Sequence, residues 1–122
     1  MPLFMTETKF TDESLKALAK RTSDRPEFVG NVIEAYGGKL HSFYWVFGEC
    51  DIVMIYDAPD NKTTMAILLS LSAGGAVASH KTTALISNED AMAAMDLADT
   101  KKTGYKSPRK EWEGWLDEGG EG

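Results

Sequence analysis

The sequence predicts an α+β domain of the ferredoxin-like type, a plait in which the order β-α-β-β-α-β forms a four-stranded antiparallel sheet. The first observation is a hairpin pattern at residues 38–59, where two runs rich in aromatic and β-branched residues flank a turn. The second is a strand pattern near each end, at 3–10 and 76–86, separated from the hairpin by helical stripes. Right-handed crossovers then give the spatial strand order 4-1-3-2, with both main helices on one face.

The hairpin pattern centres on a turn at residues 47–51, where Gly48 is free to take a positive φ. Side chains alternate along a strand, and a loop of two or four residues sorts them into two faces. One face is aromatic and holds His41, Phe43, Trp45, Phe47, Ile52, Met54 and Tyr56. The other is mostly aliphatic and holds Leu40, Tyr44, Val46, Val53 and Ile55. A three-residue loop would exchange the partners. We expect the helices to cover the Val53 and Ile55 side.

Two helical runs connect the first strand to the hairpin. Thr11 is placed to cap the first run, which has acidic residues in its positive first turn. The apolar stripe then breaks, and Ser23 is placed to cap a second run that has Pro26 in its first turn. The glycine pair Gly37 and Gly38 ends this run.

The second half of the domain repeats this plan after the hairpin. Asp60 is placed to cap a helix at 61–73 that is apolar on almost every side, so we expect it to be buried from more than one direction. A strand of small and β-branched residues follows at 76–86. Residues 87–90 then resemble a capping box that opens a third helix.

The chain is predicted to divide into a ferredoxin-like domain at 1–87 and a C-terminal helical extension with a polar tail at 88–122. Pro108 begins a last short helix that carries Trp112, Trp115 and Leu116 on one side. In the tail a basic run precedes an acidic run, which is typical of a solvated arm and not of a contact with RNA or lipid.

Composition excludes several classes of function. The net charge of −6 opposes binding to phosphate backbones, so we expect no nucleic-acid partner. The single cysteine, Cys50, excludes an internal disulfide, and neither a signal peptide nor a membrane span is evident. We therefore expect a cytoplasmic protein with no membrane partner. Because zinc-ligand spacing and a phosphate-binding glycine loop are both missing, no cofactor and no metal are predicted.

A sheet that is apolar on both faces needs a partner surface. Two helices cover one face only, and the bare face would exceed the few hundred Å² of exposed apolar patch that soluble monomers usually tolerate. We therefore expect a homodimer in which two sheets face each other, with higher homo-oligomers formed through the tail.

The hairpin and its surroundings are similar to the GYD domain family. The residues that carry the resemblance are Gly37-Gly38-Lys39-Leu40, Phe43-Tyr44, Phe47-Gly48-Glu49-Cys50-Asp51-Ile52-Val53 and Ala58-Pro59-Asp60, with Ser23-Asp24-Arg25 upstream and Thr82-Thr83 and Leu85 downstream. The likeness covers about residues 1–90, and Cys50 stands where the family has its eponymous tyrosine. The resemblance implies a ferredoxin-like fold assembled as a dimeric α/β barrel. It implies no established activity and no catalytic residues.

Four residues are candidates for a ligand pocket between the facing sheets: His41, Trp45, Tyr56 and His80. Mostly apolar walls with a few polar groups suit a small aromatic or apolar ligand, and haem is a further option. A purely structural role for all four is the competing interpretation. The sequence leaves open whether the protein is an enzyme. One hypothesis is a homo-oligomer without catalysis. The alternative is a cofactor-independent monooxygenase or isomerase that uses His41, Tyr56 and His80. A third hypothesis is a sensor or carrier of a small ligand.

Other candidate groups favour structural interpretations. Pro2 would offer a secondary amine as a general base after removal of Met1, but an amine at a frayed terminus is not desolvated. Cys50 lies between Glu49 and Asp51, whose charges raise the pKa of its thiol, so we do not expect a nucleophile. The two acids suit a turn better than an acid–base pair.

Overall fold

The computed structural model describes residues 1–109 of the 122-residue chain. The elements are β1 (Leu3–Phe10), α1 (Asp12–Lys20), α2 (Arg25–Ala35), β2 (Lys39–Trp45), β3 (Ile52–Asp57), α3 (Asn61–Ser72), β4 (Val77–Leu85) and α4 (Asn88–Thr100). The chain forms two compact units, Met1–Ile86 and Ser87–Gly122; the first holds the sheet with α1 to α3, and the second begins with α4. The predicted helix with Trp112, Trp115 and Leu116 lies outside the described residues.

The four strands form one antiparallel sheet in the order β2-β3-β1-β4. This order confirms the prediction and the ferredoxin-like plait. The two central strands, β1 and β3, come from opposite halves of the motif, as right-handed crossovers require. Helices α2 and α3 pack on a single face, where Val29, Ile33 and Ile67 join Phe4 and Tyr56 in one buried cluster.

The helices cover the opposite face from the one we expected. Met54 and Tyr56 of β3 lie under α2 and α3, whereas Val53 and Ile55 are half-buried on the other side. The prediction for this face is therefore wrong. The physical reason is size: the long and aromatic side chains of β3 remove more apolar area from water when they meet the helices than valine and isoleucine do.

A β-bulge in β2 accounts for the other difference between the predicted and the observed faces of the hairpin. Leu40 pairs with Tyr56, but Ser42 pairs with Ile55, so His41 is a surplus residue between them. As a result Leu40 lies on the same face as Phe43, and His41 turns away from it. β4, the other edge strand, is also irregular. Its pairing advances by two residues where β1 advances by one, from Lys9 to Phe10.

The hairpin loop follows the even-numbered alternative. The N–H of Val46 donates to the carbonyl of Asp51 at 2.8 Å, which closes a four-residue loop, and Gly48 takes a φ of 129°. Phe43 therefore pairs with Met54, as the even loop predicts.

The predicted helix starts are confirmed at three of four places. The side chains of Thr11, Asp60 and Ser87 each accept a hydrogen bond from the backbone N–H three residues later. For α2 the cap position belongs to Asp24 and not to Ser23, and the Asp24 side chain makes no capping bond.

The expectation that α3 is buried from more than one direction is wrong. Thr64 and Ile67 face the core, but Met65 and Leu69 are 58% and 60% exposed. One helix lying on a sheet buries a single stripe, and α2 shields only a neighbouring side of it. Among the residues that the structure describes, no helix has the length and apolarity to cross a bilayer.

Candidate functional site

The sheet separates the four predicted pocket residues. His41 lies on the face turned away from α2 and α3, which we call the open face; its apolar residues are Leu3, Met5, Tyr44, Val53, Ile55 and Leu85. Tyr56 and His80 lie on the helix-covered face, as does Trp45, whose ring is 6.0 Å from those of Phe10 and Phe43. No single pocket thus joins His41 to the other three, and their role in ligand binding stays a prediction.

On the open face, His41 forms a pair with Asp57. The Nε2 of the imidazole is 2.9 Å from Oδ2 of the carboxylate, and the side chains are 40% and 20% exposed. The bulge makes this contact, because it turns His41 toward the side of β3 that carries Asp57. When Nε2–H donates to this carboxylate, Nδ1 of the ring is left to accept a hydrogen bond from a ligand.

Beneath the helices lies a polar cluster in which Thr6, Thr8 and Tyr56 are buried and His80 and Thr82 are half-buried; we call it the buried polar cluster. The hydroxyl of Thr6 is 2.8 Å from those of Tyr56 and Thr82, and the hydroxyl of Thr8 is 2.9 Å from Nδ1 of His80. The alternation of β1 places both threonines inward, where they are fully buried. Hydrogen bonds within the cluster satisfy groups that would otherwise be desolvated without a partner.

Within this cluster one polar atom is left over. Nε2 of His80 is buried and has no hydrogen-bond partner among the described residues. Burial lowers the pKa of His80 below its ordinary value of 6.5, so its imidazole is neutral at pH 7. Burial also raises the pKa of Tyr56, and hydrogen bonds from Thr6 and Thr82 oppose this effect. The cluster therefore holds a neutral imidazole and a neutral phenol in two separate hydrogen-bonded groups, one formed by Thr8 and His80 and the other by Thr6, Tyr56 and Thr82.

The lowered pKa of His80 predicts a dependence of stability on pH. The unfolded chain binds a proton at His80 near pH 6.5, whereas the folded chain resists it until lower pH. The free energy of unfolding is therefore expected to fall as the pH drops from about 7.5 to about 5. Urea unfolding at both pH values measures the difference. The difference in the free energy of unfolding between the two pH values should shrink in His80→Gln and persist in His41→Gln. An equal difference in wild type and His80→Gln would contradict the prediction.

Sequence reasoning missed a groove between α1 and the start of α2. It has a volume of about 610 Å³, and Arg21, Asp24 and Arg25 lie along it with an apolar floor that includes Leu18 and Phe28. Its signal in the sequence is the charged run between two helical stripes, which we interpreted only as a helix break.

The turn residues have structural roles. Oδ2 of Asp51 accepts from the N–H of Phe10 at 2.8 Å, and the N–H of Asp51 donates to the carbonyl of Thr8 at 2.9 Å. Asp51 thereby ties the hairpin loop to the end of β1. Burial, followed by the charges of Glu7 and the adjacent acids, raises the pKa of the Cys50 thiol, which confirms the predicted direction. Within residues 1–109, no group of three His, Cys, Asp or Glu side chains could hold a metal ion.

Comparison with solved structures finds similar chains at low sequence identity. The crystal structure of MtbAldR has a TM-score of 0.53 and 13% identity, covering 71% of this chain and 54% of that one. A transcriptional regulator from Neisseria meningitidis in its L-Met complex has a TM-score of 0.49 and 11% identity, covering 71% and 51%. An uncharacterized NIPSNAP domain protein from Burkholderia xenovorans has a TM-score of 0.41 and 14% identity, covering 71% and 94%.

The likeness to MtbAldR extends to the fold alone. The chain spans about half the length of MtbAldR and of the Neisseria regulator. No curated protein matches the chain. The model of the GYD domain matches residues 4–95, which reaches into α4 and slightly beyond the resemblance at about residues 1–90. Because this match includes most of the sequence and all four strands, the chain belongs to the GYD domain family.

Proposed function

We propose that this GYD-domain protein is a homodimeric ligand-binding module, in which two copies pack through their open faces and hold a small apolar or aromatic molecule between the sheets. The observation that carries the proposal is the composition of the open face. At its centre Met5 lies beside Ile55, flanked by Leu3 and Val53, and no helix of the first unit packs on this side. Tyr44 is 65% exposed at its margin.

A second copy is the occupant that fits this face best. At about 3.4 Å per residue and about 4.8 Å between strands, four strands of six to nine residues present roughly 500 Å². Two such faces reach the roughly 1,000 Å² that a specific interface needs. The face also carries both signs of charge, since Glu7 and Asp57 lie on it with Lys39 and Lys81. A two-fold axis can therefore place acidic groups of one copy opposite basic groups of the other.

The ligand in this proposal is held near the pair of His41 and Asp57. Of the four predicted pocket residues, only His41 faces the space between the sheets. Trp45, Tyr56 and His80 belong to the helix-covered side and do not reach that space. A cytoplasmic location belongs to the same proposal, and the free thiol of Cys50 suits a reducing compartment.

The assembly is tested by mass in solution. Light scattering of the wild type at micromolar concentration is expected to give twice the chain mass of 13.4 kDa. Ile55→Glu places an unpaired charge in the interface, so it should weaken the dimer by more than about 100-fold and give a monomer. Leu69→Glu, at an exposed position of α3, is the matched control and should remain a dimer. A monomeric wild type, or an unchanged dimer in Ile55→Glu, would overturn the proposal.

The ligand is tested separately by native mass spectrometry of freshly purified protein. A dimer that carries a discrete additional mass, absent from Ile55→Glu, would support binding between the sheets. A bare dimer, or the same additional mass on the Ile55→Glu monomer, would remove the ligand from this space while leaving the dimer in place.

The buried polar cluster favours a second candidate function, a cofactor-independent monooxygenase or isomerase. The neutral imidazole of His80, with Nε2 unpaired, has the properties of a base for a weakly acidic C–H group. In the oxygenase case molecular oxygen adds to the carbanion, protonation gives a hydroperoxide, and loss of water from the hydroperoxide leaves a ketone, so that O2 is the only oxidant. Oxygen uptake with anthrone, a flat aromatic carbon acid, tests this candidate. Uptake that is lost in His80→Gln and kept in His41→Gln would support it, and no uptake above the protein-free rate would reject this oxygenase activity.

A further inference from the structure

The groove between α1 and α2 has the size and the walls of a small-molecule site. Its volume of about 610 Å³ falls inside the range of about 300–1,000 Å³ for such sites. Its apolar lining is made of Phe10, Ala17, Leu18, Phe28 and Ala76. One wall is fixed by the carbonyl of Ala76, which accepts from the N–H of Thr11 at 3.0 Å and from the hydroxyl of Ser14 at 2.9 Å. The groove is thus formed before any ligand arrives.

The charged residues of the groove come in both signs. Arg21 and Arg25 line it together with Asp24 and Glu27. Within the described part of the chain, none of these four groups forms an ion pair within 4.0 Å. Opposite charges on this concave surface are therefore held without a direct ion pair between them in the described part of the chain.

Local structure explains why these charges stay apart. Helix α1 ends at Lys20, and Arg21 is extended, with φ −150° and ψ 131°. The guanidinium of Arg25 lies 5.3 Å from the centre of the Phe28 ring, and its Nη1 is 3.5 Å from the hydroxyl of Ser23. Stacking on Phe28 holds Arg25 against the apolar wall. Asp24 occupies the cap position of α2 without a capping bond, so its carboxylate remains available.

We propose that this groove binds a small zwitterion with an apolar body, a class that includes free α-amino acids with aliphatic or aromatic side chains. The guanidiniums of Arg21 and Arg25 receive the carboxylate of the ligand, and Asp24 and Glu27 receive its ammonium group. The body of the ligand packs on Phe28 and the apolar floor. A simple anion would meet two unpaired carboxylates and a simple cation two unpaired guanidiniums, so either bears a repulsion that the zwitterion avoids.

Three probes that share a phenyl group on a short alkyl chain, and that differ in their charged groups, test the charge requirement. L-phenylalanine carries both charges, 3-phenylpropionate only the carboxylate, and 2-phenylethylamine only the ammonium group. Backbone amide shifts in two-dimensional NMR are followed at millimolar ligand, with L-leucine and L-methionine as further zwitterions. We expect saturable shifts at residues 17–28 for at least one zwitterion. The analogues of L-phenylalanine that lack one charge should bind at least about 10-fold more weakly. Equal binding of either analogue, or no shift with any zwitterion, would overturn the proposal.

Matched variants locate the site. Arg21→Gln and Glu27→Gln should each weaken zwitterion binding by roughly 10-fold, because each removes one charge-assisted contact. Lys20→Gln and Glu13→Gln alter neighbouring charges that do not line the groove, and they should bind as the wild type does. Equal losses in the variants and their controls would indicate a general charge effect and refute the assignment.

The groove is independent of the proposed dimer. All of its lining residues come from one chain and none lies on the open face. The Ile55→Glu monomer is therefore expected to bind the zwitterion with wild-type affinity. Loss of binding in that variant, with its amide spectrum otherwise folded, would place the zwitterion between the sheets and contradict this inference.

Discussion

Gly38→Ala is expected to lower the free energy of unfolding by at least about 3 kcal/mol, the upper range for overpacking a core. A Cβ on Gly38 would overlap the carbonyl oxygen of Asp57 and would lie 3.0 Å from Cγ2 of Ile33. The overlap is with backbone, so no side-chain rotation relieves it. The N–H of Gly38 also donates to the carbonyl of Ile33 at 3.0 Å, which ties the end of α2 at this crossing.

Gly30→Ala is the matched control for this prediction, measured by the same urea unfolding curves. The added Cβ would meet Leu40 at an ordinary distance of 3.7 Å, and Gly30 lies inside helix α2. Alanine is preferred over glycine there by roughly 0.5–1 kcal/mol, so this variant should be as stable as the wild type or more so. Similar losses of unfolding free energy in Gly38→Ala and Gly30→Ala would show that the close approach of Gly38 to Asp57 is not what makes Gly38→Ala destabilising.

Ile67→Ala is expected to lower the free energy of unfolding by about 2–5 kcal/mol, as large-to-small changes in closed cores do. Ile67 is 0% exposed and is the residue of α3 that enters the cluster with Phe4, Ile33 and Tyr56. Truncation leaves a cavity between helix and sheet. Neighbours on both sides are themselves fixed by the sheet and by α2, so the space does not collapse.

The control for this second prediction lies on the same helix. Leu69 points to solvent, and alanine is a good helix former, so Leu69→Ala should change stability by less than about 0.5 kcal/mol. Thermal unfolding of the three proteins at one concentration provides the comparison. A loss for Leu69→Ala as large as that for Ile67→Ala would mean that α3 is covered on its outer side as well.

The order of elements was predictable because local chemistry marks it. Side chains at Thr11, Asp60 and Ser87 can satisfy the free N–H groups of a helix start, and glycines end α2 and turn the hairpin. Once six elements are in this order, the handedness of crossovers leaves few sheet orders. These signals lie within a few residues of one another, so one sequence is enough to find them.

The choice of face was not predictable in the same way. Both sides of the hairpin are apolar, so hydrophobic pattern alone does not say which side meets the helices. The bulge at His41 is not evident in the sequence either, because the residues from Leu40 to Phe43 have the pattern of a regular strand. Side-chain volume and tertiary packing decide both the face that the helices cover and the position of the bulge. This packing depends on α2 and α3 together.

The prediction of a single shared pocket depended on the same choice of face. A pocket that joins His41 to Tyr56 and His80 requires one common face, and the bulge together with the exchanged face separates them. The pairing of Thr8 with His80 depends on the register between β1 and β4, which is formed by residues about 70 positions apart. The groove beside Arg21 depends on how two helices diverge, and hydrophobic periodicity does not report on that.

The irregular outer strands limit how copies of this protein can join. A sheet with straight, unpaired borders is a template for edge-on addition of further strands, and this is the route to fibrils. Here β2 carries its surplus residue at His41, and β4 has its own break opposite Lys9 and Phe10. A strand from another molecule would lose its hydrogen-bond spacing at either border. Open-ended growth by edge-on addition of strands is thereby opposed.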